Sequence, residues 1–364
     1  MRVAPPLLAL LLLLGCAACE NRLTAAHNAR IERAMGGPDY VTLAVVWPAA
    51  KADDRFVDGA RLAVETINRE GGLNGRPVRL VVRDAADTPQ EAETVARDLV
   101  EDPTLVGVIG HPSSEAALTA CVVYEHAGVL FIAPEATAPV LTESRFDYIV
   151  RPTPNDAIIA DTYVAYIKKR RAENPTGWDE LAITSDLSLD GMRMSGLLRD
   201  KLAAIGLRLT LIHAYLPNGG NVVDIAGELA ALRPDATFLV GTMPGAAITL
   251  ARLRDAGAPG LFLGGEQLNG PYTIDLAGKR AEGLIVPDYP DPAQNRHAYE
   301  HNHPEKAMAL EKAFGDDVTG WGAHGYDMVI LFADGVKAAG TTVPRAVAAA
   351  IRHFDRWQGV TGAY

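Results

Sequence analysis

Short apolar runs, each closed by a polar turn and followed by residues at helical spacing, recur from Val41 onward, and this repeat constrains the fold more than any other feature. Val41 to Val46 reads as a strand; Phe56, Ala60, Ala63, Val64 and Ile67 then share one helical face, which Gly71-Gly72 ends. Val78 to Arg83 is the next strand, and Thr88-Pro-Gln-Glu91 is a capping box with proline at the first helical position. Leu105 to Thr119 then runs from a strand through the turn Gly110-His-Pro-Ser-Ser114 into a helix, and Val129 to Ile132 forms a fourth strand. Strand and helix in alternation predict an α/β fold built on parallel sheets covered on both faces.

A second run of the same kind follows Arg151-Pro-Thr-Pro154. Leu181 to Thr184, Leu207 to His213, Ala236 to Val240 and Leu261 to Leu263 read as strands, with amphipathic helices around Leu197, Leu229 and Leu250. Each strand leads into a polar or glycine-bearing loop: Asp186 to Gly191, Gly241 to Gly245, Gly264 to Glu266. A further strand is expected at Glu282 to Val286, and helices at Trp321 to Ala339 and Val343 to Phe354. Ligands of open parallel sheets bind beyond the carboxyl ends of the strands. That edge should carry Trp47-Pro48, His111 to Ser114 and Glu135 to Thr137. Backbone N–H groups and the hydroxyls of Ser113 and Ser114 at a helix start suit an anion, carboxylate as readily as phosphate.

At 364 residues the chain has room for two domains, and its formal charge of −11, with no long basic run, argues against a nucleic-acid partner. Met1-Arg2 and the apolar run Leu7 to Leu14 have the layout of a secretory signal, too short for an ordinary membrane span. Leu13-Leu-Gly-Cys16 resembles a bacterial lipobox, which implies cleavage before Cys16 and lipid attachment there; Cys19 is the weaker candidate. With Cys16 set aside only Cys19 and Cys121 are left, one in the leader and one inside an expected helix, so no disulfide is expected. Residues 16–40 read as a charged tether with one frayed helix. His297, His301 and His303 include an i,i+4 pair, but in a proline-flanked polar segment they read as a solvated loop rather than a metal site. No GxSxG, P-loop, HExxH or dinucleotide glycine motif is present, so neither catalysis nor a cofactor is expected.

The order and spacing of several segments resemble the type I periplasmic substrate-binding proteins, whose best-known members bind leucine, isoleucine and valine. They are Gly59 to Asn68 with Gly71 to Gly75, Val108 to His111, Tyr124 to Gly128, Pro134 to Thr142, Arg151, Gly257, Glu282-Gly283 and Tyr326-Asp327. The resemblance implies two Rossmann-like lobes, 41–155 with 288–345 and 156–287 with 346–364, joined by a hinge that closes on ligand. In amino-acid binders of that family the residues matching Ser114 and Thr137 receive the ligand carboxylate, and the acid matching Glu266 receives the α-ammonium. Independently of the resemblance, hydroxyls at a helix end suit an anion and a lone carboxylate suits a cation, so a zwitterion fits.

The family cysteine in the helix-end loop is Ser113 here, and its partner position is Asp87, so that bridge is missing altogether. Glu135 replaces a small residue, Asp190 replaces the second-lobe tyrosine that usually covers the ligand, Trp47 replaces a frequent glycine, and Trp321 keeps an aromatic position. These departures argue against branched-chain specificity and leave open a polar or cationic side chain or a different small molecule altogether. Ser113 and Ser114 could serve only as helix caps, Thr137 could satisfy a turn, Glu266 and Asp190 could be solvated, Glu135 could offer only its carbonyl, and Trp47 and Trp321 could be ordinary packing. Gln358 to Gly362 resembles the family motif that leads into a last strand, so the C-terminus is expected to be incomplete. The expected function is solute capture by a monomeric, exported, lipid-anchored protein of an ABC importer, facing an inner-membrane permease on the periplasmic side. A ligand sensor on the same scaffold is the alternative.

Overall fold

The computed structural model describes residues 22–37, 39–49, 55–85, 88–175, 177–216, 219–287, 308, 310, 312, 320–362 and 364. The chain forms two compact units, Met1–Ala136 with Val140–Thr153 and Pro292–Tyr364, and Thr137–Pro139 with Pro154–Asp291.

The first unit is built on a parallel sheet of order β2-β1-β3-β4-β5, from β1 (Val41–Val46), β2 (Val78–Arg83), β3 (Leu105–Gly110), β4 (Leu130–Ile132) and β5 (Ile149–Val150). Every residue of β1 and β3 is buried, as strands covered on both faces must be. Helix α1 spans residues 22–36. Helix α2 (Phe56–Arg69) buries the face expected from its spacing, and α3 (Pro89–Val100) starts at the Thr88 cap, whose hydroxyl accepts the Glu91 N–H at 3.3 Å. Helices α4 (Ser114–Ala127) and α5 (Val140–Glu143) follow.

The second unit repeats the plan. Strands β6 (Glu180–Ser185), β7 (Arg208–Leu211), β8 (Ala236–Val240), β9 (Leu261–Gly264) and β10 (Leu284–Ile285) lie in the order β10-β9-β8-β6-β7, all neighbours parallel. In chain order this is the arrangement of the first sheet, with β6 in the place of β1 and β8 in that of β3. Helices α6 (Asp156–Glu173) and α7 (Leu189–Ala203) contribute to one core layer, and α8 (Val222–Leu232) and α9 (Gly245–Asp255) to another; α10 (Pro271–Ala277) follows β9.

Two sequence expectations are corrected. Residues 346–364 do not belong to the second unit: in α11 (Gly320–Ala339) and α12 (Pro344–Arg352), Val336, Val347, Ala348 and Ile351 join Val360 in the core of the first. Buried Asp327 of α11 clasps the segment that follows, accepting the Val360 N–H at 2.7 Å and the Thr361 N–H at 2.8 Å. Residues 22–36 are likewise no loose tether, because Arg30 is 1% exposed. Its guanidinium donates to the carbonyls of Leu105 (2.6 Å), Ala127 (2.5 Å), Val100 (2.9 Å) and Asp102 (3.2 Å). Val100 and Ala127 end α3 and α4, where helices leave carbonyls without intrahelical donors and favour a cation. Burial lowers the guanidinium to about 10, still charged at neutral pH.

Among the described residues no helix is long and apolar enough to cross a membrane, and no group of His, Cys, Asp or Glu is placed to hold a metal. Cys16, Cys19, Asp87 and the histidines at 297, 301 and 303 lie outside the described residues. Cys121 is a free, buried thiol, pushed up to about 12 by burial and the nearby Glu125 carboxylate.

Candidate functional site

The strand order reverses between β1 and β3 in the first sheet and between β6 and β8 in the second, and beyond such switch points the loops part to leave room for a ligand. In the first unit the β3–α4 loop begins at Gly110, at φ 147°, where a Cβ would stand 2.1 Å from the Val46 carbonyl oxygen, so only glycine fits. His111 follows at φ 52° and donates its backbone N–H to that same carbonyl at 3.2 Å. Its ring is buried, with Nε2 2.9 Å from the Tyr124 hydroxyl, and burial lowers it to about 3, so it is neutral. Ser113 then caps α4, its Oγ accepting the Ala116 N–H at 3.3 Å, and Ser114 is the first helical residue, 2% exposed.

Glu135, on the loop after β4, is buried. Thr137, also buried, begins the short piece grouped with the second unit, and its carbonyl accepts the Asp156 N–H at 3.0 Å. Trp47 follows β1 and is 2% exposed; its ring stacks on Phe56 at 3.8 Å between centroids, interplanar angle 7°, and lies 6.3 Å from Trp321. The structure therefore brings Trp47 and Trp321 together, with Trp47 part of the packed core and Trp321 half-buried against it.

In the second unit Glu266 opens a short 3-10 turn directly beyond β9. It holds there the place that Glu135 holds beyond β4 in the first. Asp190 sits in the first turn of α7 and is ion-paired with Arg193, which also grips buried Asp156. Burial alone would lower Arg193; the bonds and attraction to Asp156 and Asp190 carry it above its ordinary value.

Asp186, not singled out from the sequence, organises these loops. One carboxylate oxygen accepts the Ser188 N–H (3.1 Å) and hydroxyl (2.5 Å), and the other accepts the Thr242 N–H (2.7 Å) and hydroxyl (3.1 Å), tying the loops after β6 and β8 together. Gly241 is again the residue that permits it, since a Cβ there would meet the Tyr215 hydroxyl at 1.7 Å and the Asp186 carboxylate at 2.7 Å. Gln267 donates its side-chain N–H to the Gly241 carbonyl, and the Tyr163 hydroxyl donates to that of Gly264. The sequence signal for Asp186 was its place in a post-strand loop, which other polar residues share.

Residues 48–364 match the family model for periplasmic binding proteins. The leucine-, isoleucine-, valine-, threonine- and alanine-binding protein of Pseudomonas aeruginosa is 26% identical over 324 residues, covering 88% of this chain and 82% of that one. The Leu/Ile/Val-binding protein of Escherichia coli is 29% identical over 239 residues, 66% of this chain and 64% of its own length. Among solved structures, an ABC transporter substrate-binding protein from Desulfitobacterium hafniense in complex with Leu superposes with a TM-score of 0.75 at 25% identity, covering 89% of this chain and 92% of that one.

Proposed function

Since the chain belongs to the periplasmic binding protein family, in the type I branch of the branched-chain amino acid binders, we propose that it is the solute-capturing component of an ABC importer and takes a small zwitterion, an amino acid or close amide relative. Members of this family bind and deliver solutes, and the chain is not an enzyme. The observation that carries the reading is the start of α4 at the switch point of the first sheet, where Ser113, Ser114 and the first-turn N–H groups stand beyond the strand end.

On this reading the carboxylate is received by Ser114 and Thr137 with neighbouring N–H groups, the ammonium by Glu266, and hinge closure on the ligand is the signal a membrane permease reads. Glu135 supplies a second acid, which favours ligands with polar or cationic side chains. Trp47 and Trp321 act by packing behind the site, and Asp190 acts on α7 through Arg193. Export with lipid attached at Cys16 places the protein on the periplasmic side of a membrane as a monomer.

Denaturing purified protein and identifying released compounds by mass spectrometry, then measuring their binding calorimetrically to wild type and Glu266→Ala, tests the proposal. An amino acid whose binding weakens by roughly 2–5 kcal/mol without Glu266, as for truncating one partner of a buried charge pair, supports it. A neutral or apolar ligand indifferent to Glu266 overturns it.

A further inference from the structure

We propose that His324 is a positioning residue for the ligand loop, its Nε2–H holding the Pro134 carbonyl and thereby the peptide from which Glu135 projects; the link to ligand rests on the functional reading above. His324 lies on α11, fully buried, with Nε2 3.1 Å from the Pro134 oxygen. A carbonyl only accepts, so Nε2 carries the proton. Burial lowers the imidazole to about 4, leaving it neutral at physiological pH with a bare Nδ1. That nitrogen is 2.7 Å from the Tyr364 hydroxyl, which must therefore donate to it.

The C-terminal segment answers this tautomer with a donor. Tyr364 stacks on the imidazole, centroids 5.8 Å apart and planes at 23°, and its hydroxyl also meets that of Thr361. Thr361 reaches Asp327 as well, Oγ1 to Oδ2 at 2.7 Å, so its one hydroxyl proton serves either Tyr364 or Asp327 at a given moment. The chain Asp327–Thr361–Tyr364–His324–Pro134 connects the 360–364 segment to the loop bearing Glu135. Packing against Phe56 and Trp321, at 6.0 and 5.6 Å between centroids, would be served as well by an apolar residue. What a buried imidazole adds, at the expense of its own desolvation, is the donor to Pro134.

Hydrogen exchange read by mass spectrometry over residues 133–139 of the full chain without added ligand, in wild type, His324→Leu and His324→Gln, tests this. Exchange there should quicken about tenfold in the leucine variant, the scale of one lost buried hydrogen bond, and return toward wild type in the glutamine variant, which restores an N–H donor. Equal exchange in all three, or a glutamine variant no better than leucine, overturns the proposal. Nitrogen NMR of the His324 ring gives an answer that needs no variant: the Nε2-protonated tautomer supports it and the Nδ1-protonated one overturns it. Calorimetry with leucine, threonine and arginine as probes runs alongside. Exchange and tautomer as expected with no probe bound by wild type keep the positioning role while removing the functional reading.

Discussion

The two units share one strand order yet secure the loops at their sheet edges by different means. In the first, the loops after β1, β3 and β4 are backed by rings: Trp47 on Phe56, neutral His111 against Tyr124, neutral His324 under Pro134. In the second, the loops after β6 and β8 converge on one buried carboxylate, Asp186, and Gln267 adds a bond from beyond β9 to Gly241. The same topology therefore tolerates an aromatic and a polar solution to one problem, that irregular backbone beyond a strand end must be held without a regular ladder.

If the first unit depends on packed rings, the largest loss should come from Phe56→Ala. About 4 kcal/mol is expected for a fully buried phenylalanine, measured by urea unfolding, with a shifted tryptophan emission as Trp47 loses its partner. Asp186→Ala should cost about 3 kcal/mol by leaving the donors of Ser188 and Thr242 unanswered; a cost as small as that of a surface change would mean the second unit is not organised by this carboxylate.

Acid should separate the two designs next. His111 and His324 have folded-state values of about 3 and 4 against an ordinary 6.5, so between those limits the unfolded chain binds more protons. Their contribution is complete above pH 6.5 and is lost as pH falls through that window, by up to ~1.4 kcal/mol per pH unit for each group. His111→Phe should flatten the acid side of the stability profile by up to one such slope; an unchanged profile would assign the acid sensitivity elsewhere. The smallest contrast lies at helix starts. Thr88→Ala should cost ~1 kcal/mol as a simple cap, and Ser188→Ala about twice that, because Ser188 both caps α7 and bonds Asp186.

Features resting on local chemistry were legible in the sequence: the mostly apolar, wholly buried β1 and β3, the face of α2, the Thr88 cap, the glycine and serines of the β3–α4 turn. What escaped depended on distant partners. The apolar face of α12 announces burial without saying against what, and Asp327 meets the 360–361 N–H groups only after the chain has folded back. Arg30 is one charge among several in the tether as the sequence reads, because the buried carbonyls it serves lie at 100–127. For the site, the post-strand placement of Ser113, Ser114, Glu135 and Glu266 could be read from the repeat. The Asp190–Arg193 pair, the stacking of Trp47 and the hub role of Asp186 required coordinates.

The docked α1 also limits how far the chain can be trimmed from its N-terminal side. A protein trimmed at residue 40, where the strand pattern starts, would strip a buried cation from the carbonyl ends of α3 and α4 and from Leu105 at the foot of β3, and would also remove His27, whose ring lies against Gly128. An expression boundary must therefore lie ahead of Arg30 and the helix that carries it, earlier than the alternation of strands and helices would suggest.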